Sequence, residues 1–349
     1  MIFLYILLAV LAFGVMIFLH ELGHYLAARA FGVSVSEFSI GMGPRLLSYT
    51  SKKTGIVYKI CAFPIGGYVS MAGEDEESDD PNSLEKKPAW QRLIIMAAGG
   101  ISNLITGFLI MLLCVAMLLE SLTTPQVAAF PTHEDGTPTA SYKQGLREGD
   151  VILAVDGRRV RIGAELDYEI MRRGIHPVTL TVERDGAILL LENFRFRIIE
   201  EGREQFGGRD FYLSTEEGSL SHVLYHAFHR SVMTVRMVWE SFYDLITGRF
   251  STDALSGPVG VTSAMVQTAS AGAANFLYLV AVISLNLGVV NLFPLPALDG
   301  GRILLLGISA LMRRPIPARI EGAIHSVGLI LLFGLMLVVT CKDVIQLIF

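Results

Sequence analysis

The sequence predicts a multi-pass α-helical membrane protein with about four transmembrane helices and one folded domain outside the bilayer. Three observations lead there. Hydrophobic residues fill 52% of the 349 positions and charged residues only 17%, whereas a soluble domain carries about 25% charged residues. The mean hydropathy, +0.51, agrees. Four stretches lack formal charge for long enough to cross a bilayer, which takes about 20 helical residues. Between the second and third of them, the interval from Glu120 to about Gly248 is too long for a simple loop and should hold a folded domain. The net charge of −5 is modest and no Lys/Arg run occurs, which argues against a nucleic-acid partner. Cys61, Cys114 and Cys341 are far apart and form no C-x-x-C pair, so neither a disulfide framework nor a thiolate zinc site is expected. Cys114, inside an apolar run, reads as a small core residue.

The first apolar stretch runs from Met1 to Leu19. It has no basic start and exceeds the roughly 7–15 apolar residues of a signal peptide, so a retained span is expected. The second covers Leu93 to Leu119, and the third lies within Ala254 to Leu298, most apolar from Phe276 to Val290. The fourth runs from about Ala323 to Thr340. The loop after the first span carries Arg29, Arg45, Lys52, Lys53, Lys59, Lys86, Lys87 and Arg92. The loop after the third carries Arg302, Arg313, Arg314 and Arg319. The positive-inside rule puts both on the cytoplasmic side, with the termini and the long soluble interval outside. The acidic run Glu74 to Asp80 reads as a solvated loop.

On the first helix, His20-Glu21-Leu22-Gly23-His24 fits H-E-x-x-H. Residues four apart share a helix face, so both imidazoles can bind one zinc ion. Glu21 stands beside them and can take a proton from water that the metal acidifies. The motif continues an apolar helix that can extend to about Ala30. Three ionisable groups at membrane depth are costly and mark function.

A catalytic zinc takes three protein ligands and keeps one position for water. His133 and His176 fall in the outer segment, on the wrong side. His222, His226 and His229 have helical spacing, but Leu220, Val223, Leu224, Phe228, Val232 and Met233 around them make an amphipathic helix whose polar or interfacial face they line. His325, near the cytoplasmic face at the start of the fourth span, is a weak candidate. Asp299 is the better one, at the end of Asn291-Leu-Phe-Pro-Leu-Pro-Ala-Leu-Asp-Gly-Gly301. Pro294 and Pro296 break the helix there. Broken backbone at membrane depth is tolerated against protein or a wet cavity, and Asp299 can turn its carboxylate to the metal. By chemistry alone, capping of the next helix explains Asp299 equally well.

The pairing of His20-Glu21-x-x-His24 with Asn291-x-x-Pro294-x-Pro296-x-Leu298-Asp299-Gly300 resembles the site-2 protease family of intramembrane zinc metalloproteases, in its bacterial, PDZ-containing branch typified by the regulator of sigma-E protease. The resemblance covers essentially the whole chain. It implies Zn²⁺ as cofactor, His20, His24 and Asp299 as its ligands and Glu21 as the catalytic base. The family's G-x-x-x-N pattern matches Gly99 to Asn103 on the second span, which implies that Asn103 lies near the active site and binds substrate. Gly99 and Gly100 by themselves read as close helix packing. Asn291 matches an asparagine that holds the substrate backbone, and the resemblance implies that Pro294 and Pro296, which shape the same loop, bind substrate with it.

Within Gly55 to Met71, Ile56-Val57-Tyr58-Lys59-Ile60 and Gly66-Gly67-Tyr68-Val69 read as a strand pair with a tight turn. In the family this is a membrane-associated β-hairpin whose edge would pair with an unwound substrate; an ordinary interfacial hairpin is the plainer alternative. Gln144-Gly-Leu-Arg-Glu-Gly-Asp-Val-Ile-Leu-Ala-Val-Asp-Gly157 is similar to a PDZ signature. One extracytoplasmic PDZ-like α/β domain is expected, where some relatives have two.

The layout expected is a first transmembrane helix over 1–30, a cytoplasmic-side loop with the hairpin over 31–90 and a second helix over 91–120. The PDZ-like domain covers 124–200, and a linker with an amphipathic interfacial helix covers 201–253. The third transmembrane region with its motif and cytoplasmic loop covers 254–322, and the fourth helix 323–349. The resemblance implies hydrolysis of a peptide bond in single-pass membrane proteins already trimmed on the outer side, such as an anti-sigma factor or a remnant signal peptide. It also implies an inner-membrane location and a possible peptide ligand for the PDZ-like domain. A scaffold that has lost catalysis is disfavoured by the intact His20, Glu21, His24 and Asp299. A transporter with a midplane ion site is disfavoured by the lack of internal repeats.

Overall fold

The computed structural model describes residues 2–74, 78–117, 122–131, 139–201, 204–248, 256–314 and 316–348. The chain runs α1 (Ile2–Ala30), β1 (Val35–Thr50), β2 (Val57–Met71), α2 (Ala89–Met117), β3 (Leu122–Ala129), α3 (Ala140–Lys143), β4 (Val151–Val155), β5 (Arg158–Arg159), α4 (Gly163–Arg173) and β6 (Val178–Arg184). It continues through β7 (Ala187–Phe194), β8 (Arg197–Glu201), β9 (Glu204–Gly208), β10 (Tyr212–Glu216), α5 (Leu220–Ile246), α6 (Pro258–Ala271), α7 (Ala273–Asn291), α8 (Asp299–Met312) and α9 (Ala318–Ile348). Two compact units result, one of Met1–Ile110 with Thr234–Phe349 and one of Met111–Met233.

In the first unit, four segments are long and apolar enough to cross a membrane: Phe3–Ala30, Ala89–Met117, Ala273–Asn291 and Ile320–Ile345. Much of their apolar surface faces outward, as at Leu7 and Leu11 of α1 and Leu331 and Leu335 of α9. Side chains of that kind, without a protein partner, belong against lipid. The HExxH motif sits in the unbroken last third of α1, as expected. The third region holds α6 and α7, with the membrane-length α7 over the stretch expected to be most apolar, and Gly272, at φ +130°, breaks the chain between them.

Small residues let α2 pack closely on both sides. A Cβ on Gly23 of α1 would lie 2.5 Å from the Ala98 carbonyl oxygen, and one on Gly288 of α7 would lie 2.8 Å from that of Gly100. Two hydrogen bonds seal these contacts. Ser102 Oγ donates to the Leu19 carbonyl at 2.7 Å, and the buried Ser284 Oγ donates to the Asn103 carbonyl at 2.9 Å. The small residues set the spacing of α1, α2 and α7, and that spacing aims their side chains at one another.

The strand arrangement differs from the expected tight-turn pair. Ile60 and Gly67 fall in the same long strand, β2, and its partner is β1, which the sequence reading missed. Both strands fold over on themselves. Residues 45–50 pair with 57–61, while 35–40 pair with 67–71 and also flank 57–60. Residues 35–40 therefore lie between the two segments that the sequence had paired. Among the described pairings, 67–71 has a partner on one side only. Glu37 ties three of the segments together: its carboxylate accepts from Lys59 Nζ at 2.5 Å and from the Tyr68 hydroxyl at 2.8 Å. The Lys59 and Tyr68 hydrogen bonds hold the Glu37 carboxyl below the usual carboxylate range.

The second unit is built on a sheet in the order β10-β3-β4-β6-β7, with β5 on β4. Val178, Leu180 and Val182 of β6 are buried while Thr179 and Thr181 are less so, the period of two that a one-sided core imposes. Leu166 and Ile170 of α4 pack on the same core with Val127, Ile152 and Val155. Asp150, fully buried, accepts two hydrogen bonds from Arg184, at 2.6 and 2.7 Å, and one from the Arg147 backbone at 2.8 Å. Replacing Asp150 by Ala leaves the part-buried Arg147 N–H without its acceptor and Arg184 without its carboxylate partner, though still bonded to the Gly145 carbonyl, and is expected to destabilise this unit by about 2–4 kcal/mol. Thermal unfolding and limited proteolysis of the full chain would show it.

Two of the α5 histidines, His226 and His229, correct the sequence reading. Instead of lining an interfacial face, His226 is buried with its Nε2 2.6 Å from Glu216 Oε1, and His229 Nδ1 lies 3.3 Å from Glu165 Oε1. Burial pushes the His226 imidazole below its ordinary range, against the opposing pull of Glu216. His222 Nδ1 lies 2.8 Å from the Glu217 carbonyl. His176 is exposed, and His133 lies outside the described residues.

Candidate metal centre

Two elements distant in sequence bring three ligand atoms together in the first unit. His20 and His24 stand one turn apart on α1, their rings at 80° to each other. Asp299 is the first residue of α8, preceded by a chain reversal at Leu292–Leu298. His20 Nε2 and His24 Nε2 are 3.3 Å apart, and Asp299 Oδ2 lies 3.4 Å from the first and 3.3 Å from the second. A tetrahedral zinc with ligands at about 2.0–2.1 Å needs ligand atoms about 3.3–3.4 Å apart, so the triangle has the size the ion requires. Asp299 Oδ2 is buried without a well-formed hydrogen bond, an arrangement a cation would resolve. These are the three residues that form a cluster suited to a metal among the described residues.

The surroundings hold each ligand in place. His24 Nδ1 donates to the Ile95 carbonyl of α2 at 2.8 Å, so that in the neutral ring Nε2 is the nitrogen with a lone pair toward the triangle. The Asn103 amide lies 3.3 Å from His20 Nδ1, and its buried Oδ1 has no other partner; a half-turn of the amide pairs Oδ1 with the His20 N–H. Gly99 lies against both rings, so close that a Cβ there would stand 2.2 Å from His24 Nε2 and 2.6 Å from His20 Cε1. On α8, Gly300 and Gly301 admit the reversing chain: a Cβ on either would meet the Phe293 or Leu295 carbonyl oxygen at 2.1 or 2.3 Å.

The triangle opens onto a cavity of about 550 Å³ lined by Glu21, Gly67–Met71 of β2, Glu74, Asn291 and Arg302, among others. The Val69 backbone lies beside the Glu21 carboxyl. Chain-wide similarity bears on what this cavity does. The model of Peptidase family M50 matches residues 8–335. The chain belongs to that family. Among curated relatives, Metalloprotease MmpA of Caulobacter vibrioides is 32% identical, over 95% of this chain and 92% of its own. Regulator of sigma-W protease RasP of Bacillus subtilis and Zinc metalloprotease RasP of Bacillus licheniformis are each 29% identical, over 96% of this chain and 97% of theirs. This M50 chain is a zinc metalloprotease of the site-2 protease family and a membrane protein, with zinc as its metal.

Of the residues picked out in the sequence of this M50 peptidase, His20, Glu21, His24, Asn291 and Asp299 meet at one cavity. Asn103 is fully buried behind His20 and is not among the cavity's lining residues. Pro294 and Pro296 shape the reversal and also lie outside the lining. His325 does not join the triangle; its Nδ1 accepts the Ala297 N–H at 3.1 Å. Glu74, read as part of a solvated acidic loop, instead pairs with Arg302 of α8 at the cavity wall. Residues 75–77 of that run lie outside the described residues. The Ile95 carbonyl and the Val69 backbone had no signal in the sequence, because a main-chain group looks the same in every residue.

Proposed function

We propose that this zinc metalloprotease hydrolyses a peptide bond within or near the transmembrane segment of single-pass membrane proteins, with His20, His24 and Asp299 as zinc ligands and Glu21 as general base. The observation that carries the reading is the ligand triangle of 3.3–3.4 Å edges formed by side chains of a membrane-length helix and the turn after another. Zinc, when bound, supplies Lewis acidity for the scissile carbonyl and lowers the pKa of water. Glu21 takes the proton from the attacking water and returns it to the leaving amine. Asn103 holds the His20 ring rather than touching substrate. Asn291, on the cavity wall, offers an amide to the substrate backbone. The one-sided segment 67–71 offers backbone donors and acceptors to a substrate strand, which would hold a transmembrane helix unwound while it is cut.

The second unit fits a PDZ-like domain on the outer side: the Gln144–Gly157 signature leads into β4, and α4 covers the sheet. In that position it binds a peptide end or admits only substrates already shortened outside the membrane. The basic loops put the active site toward the cytoplasmic side of the inner membrane, with both termini outside. Anti-sigma factors and remnant signal peptides have the required single-span form. Cleavage of a model single-span substrate in detergent is the test. A zinc chelator is expected to stop it, added zinc to restore it, and the product ends to fall in or beside the apolar segment. Cuts confined to the soluble flanks would overturn the intramembrane reading, and chelator-resistant cleavage would overturn the assigned site.

A further inference from the structure

Ala297, two residues before Asp299, has φ +73°, in the left-handed region where a residue with a Cβ is strained. Such a conformation persists only where its surroundings impose it. Here the N–H of Ala297 is donated to His325 Nδ1 of α9 at 3.1 Å. Three residues along α9, on the same face, Gly328 meets Pro296: a Cβ on Gly328 would lie 2.3 Å from Pro296 Cβ. From the other side, Gly301 of α8 lies against the Leu295 carbonyl. The turn carrying Ala297 is thus held between α8 and α9, and Ala297, Leu298 and Asp299 all face the cavity.

We infer that His325 is a positioning residue for the metal site, holding the left-handed turn at Ala297 and through it the direction from which Asp299 reaches the two imidazoles. The inference rests on Asp299 being a zinc ligand. His325 does not touch the ion. It supplies an acceptor at the point where the main chain adopts a conformation that alanine disfavours. Relaxation of Ala297 to negative φ would swing Leu298 and Asp299 away from a triangle whose edges leave little tolerance. Groups that orient metal ligands in this indirect way typically control affinity or activity by about 10–100-fold.

The test compares His325→Asn with His325→Gln in the full-length protein. Both keep a neutral amide, but Asn can put its oxygen where Nδ1 lies, whereas the acceptor of Gln sits one bond farther out. Zinc affinity is read by competition with a chromophoric chelator, and ligand geometry by the visible bands of the cobalt-substituted protein. His325→Asn is expected to stay within about threefold of wild type, while His325→Gln and His325→Ala weaken zinc binding about 10–100-fold and shift the cobalt bands. Adding Ala297→Gly to His325→Ala should recover most of the loss, because glycine adopts φ +73° without help. Equal zinc affinity and equal cobalt bands in the Asn and Gln variants would overturn the inference, as would a double variant no better than His325→Ala. Failure of the underlying reading looks different: Asp299→Ala would then bind zinc as tightly as wild type.

Discussion

Replacing Glu21 by Gln is expected to lower the rate of substrate cleavage about 10²–10⁴-fold, the usual contribution of a positioned general base, while bound zinc stays at the wild-type level. The expectation follows from where Glu21 sits. It shares the cavity with His20, His24 and Asp299 but contributes no atom to their triangle. Strand β2 lies directly on it: a Cβ at Gly67 would stand 3.0 Å from Glu21 Cγ. Glutamine has the same shape, so packing and metal ligation are preserved. The amide cannot take a proton from water. The effect should appear in kcat with KM little changed, since no substrate contact is lost. Activity of the Gln variant within a few fold of wild type would assign the base elsewhere.

Replacing Gly99 by Ala is expected to remove zinc binding, and with it activity, while the protein still folds. A methyl group here would stand 2.2 Å from His24 Nε2 and 2.6 Å from His20 Cε1, far inside contact distance. The atoms it meets are the ends of side chains, so the collision can be relieved by turning the rings. Turning them takes the nitrogen atoms out of a triangle whose edges already match zinc. A misplacement of about 1 Å is enough to cost on the order of 100-fold in rate, and metal affinity should fall at least as far. The matched control is Gly14→Ala on α1, where a Cβ would meet nothing within 4 Å. Zinc analysis and thermal unfolding of the two variants separate the cases. Loss of folding in Gly99→Ala would mean that the rings cannot give way, and wild-type zinc content would mean that they can turn without leaving the metal.

Much of this site was legible because its signals are local. Two histidines four apart, with a glutamate beside them on an uncharged helix, state both the chemistry and the shared face. Asp299 was not decided that way. Helix capping explained it equally well until the resemblance tipped the balance, and the geometry does not support capping: Leu298 holds the N-cap position of α8 without a side-chain cap bond, while Asp299 points its Oδ2 at the imidazoles. Strand β1 was missed because polar and glycine residues interrupt its alternation. It is recognised by its partner β2, not by its own pattern. The α5 histidines looked interfacial on a helical wheel, which cannot include Glu216 and Glu165 from other elements. Glu74 looked solvated because its neighbours in sequence are acidic, while its partner Arg302 lies 228 positions away.

The sequence by itself determined the solvent, the reagents and the order of parts: four apolar helices, a histidine pair with its glutamate, and a folded segment between the second and third spans. Each depends on composition or on spacing within one element, and helix periodicity converts spacing directly into geometry. Only the tertiary structure decided how the Asp299 carboxylate reaches the two imidazoles, which glycine makes room for the rings, and which main-chain groups orient them. Those choices depend on contacts between residues far apart in the chain, many of them through backbone atoms that carry no side-chain identity. Gly99 belongs to both accounts, since in the sequence it marks close helix packing and in the fold it is the space that two imidazoles occupy.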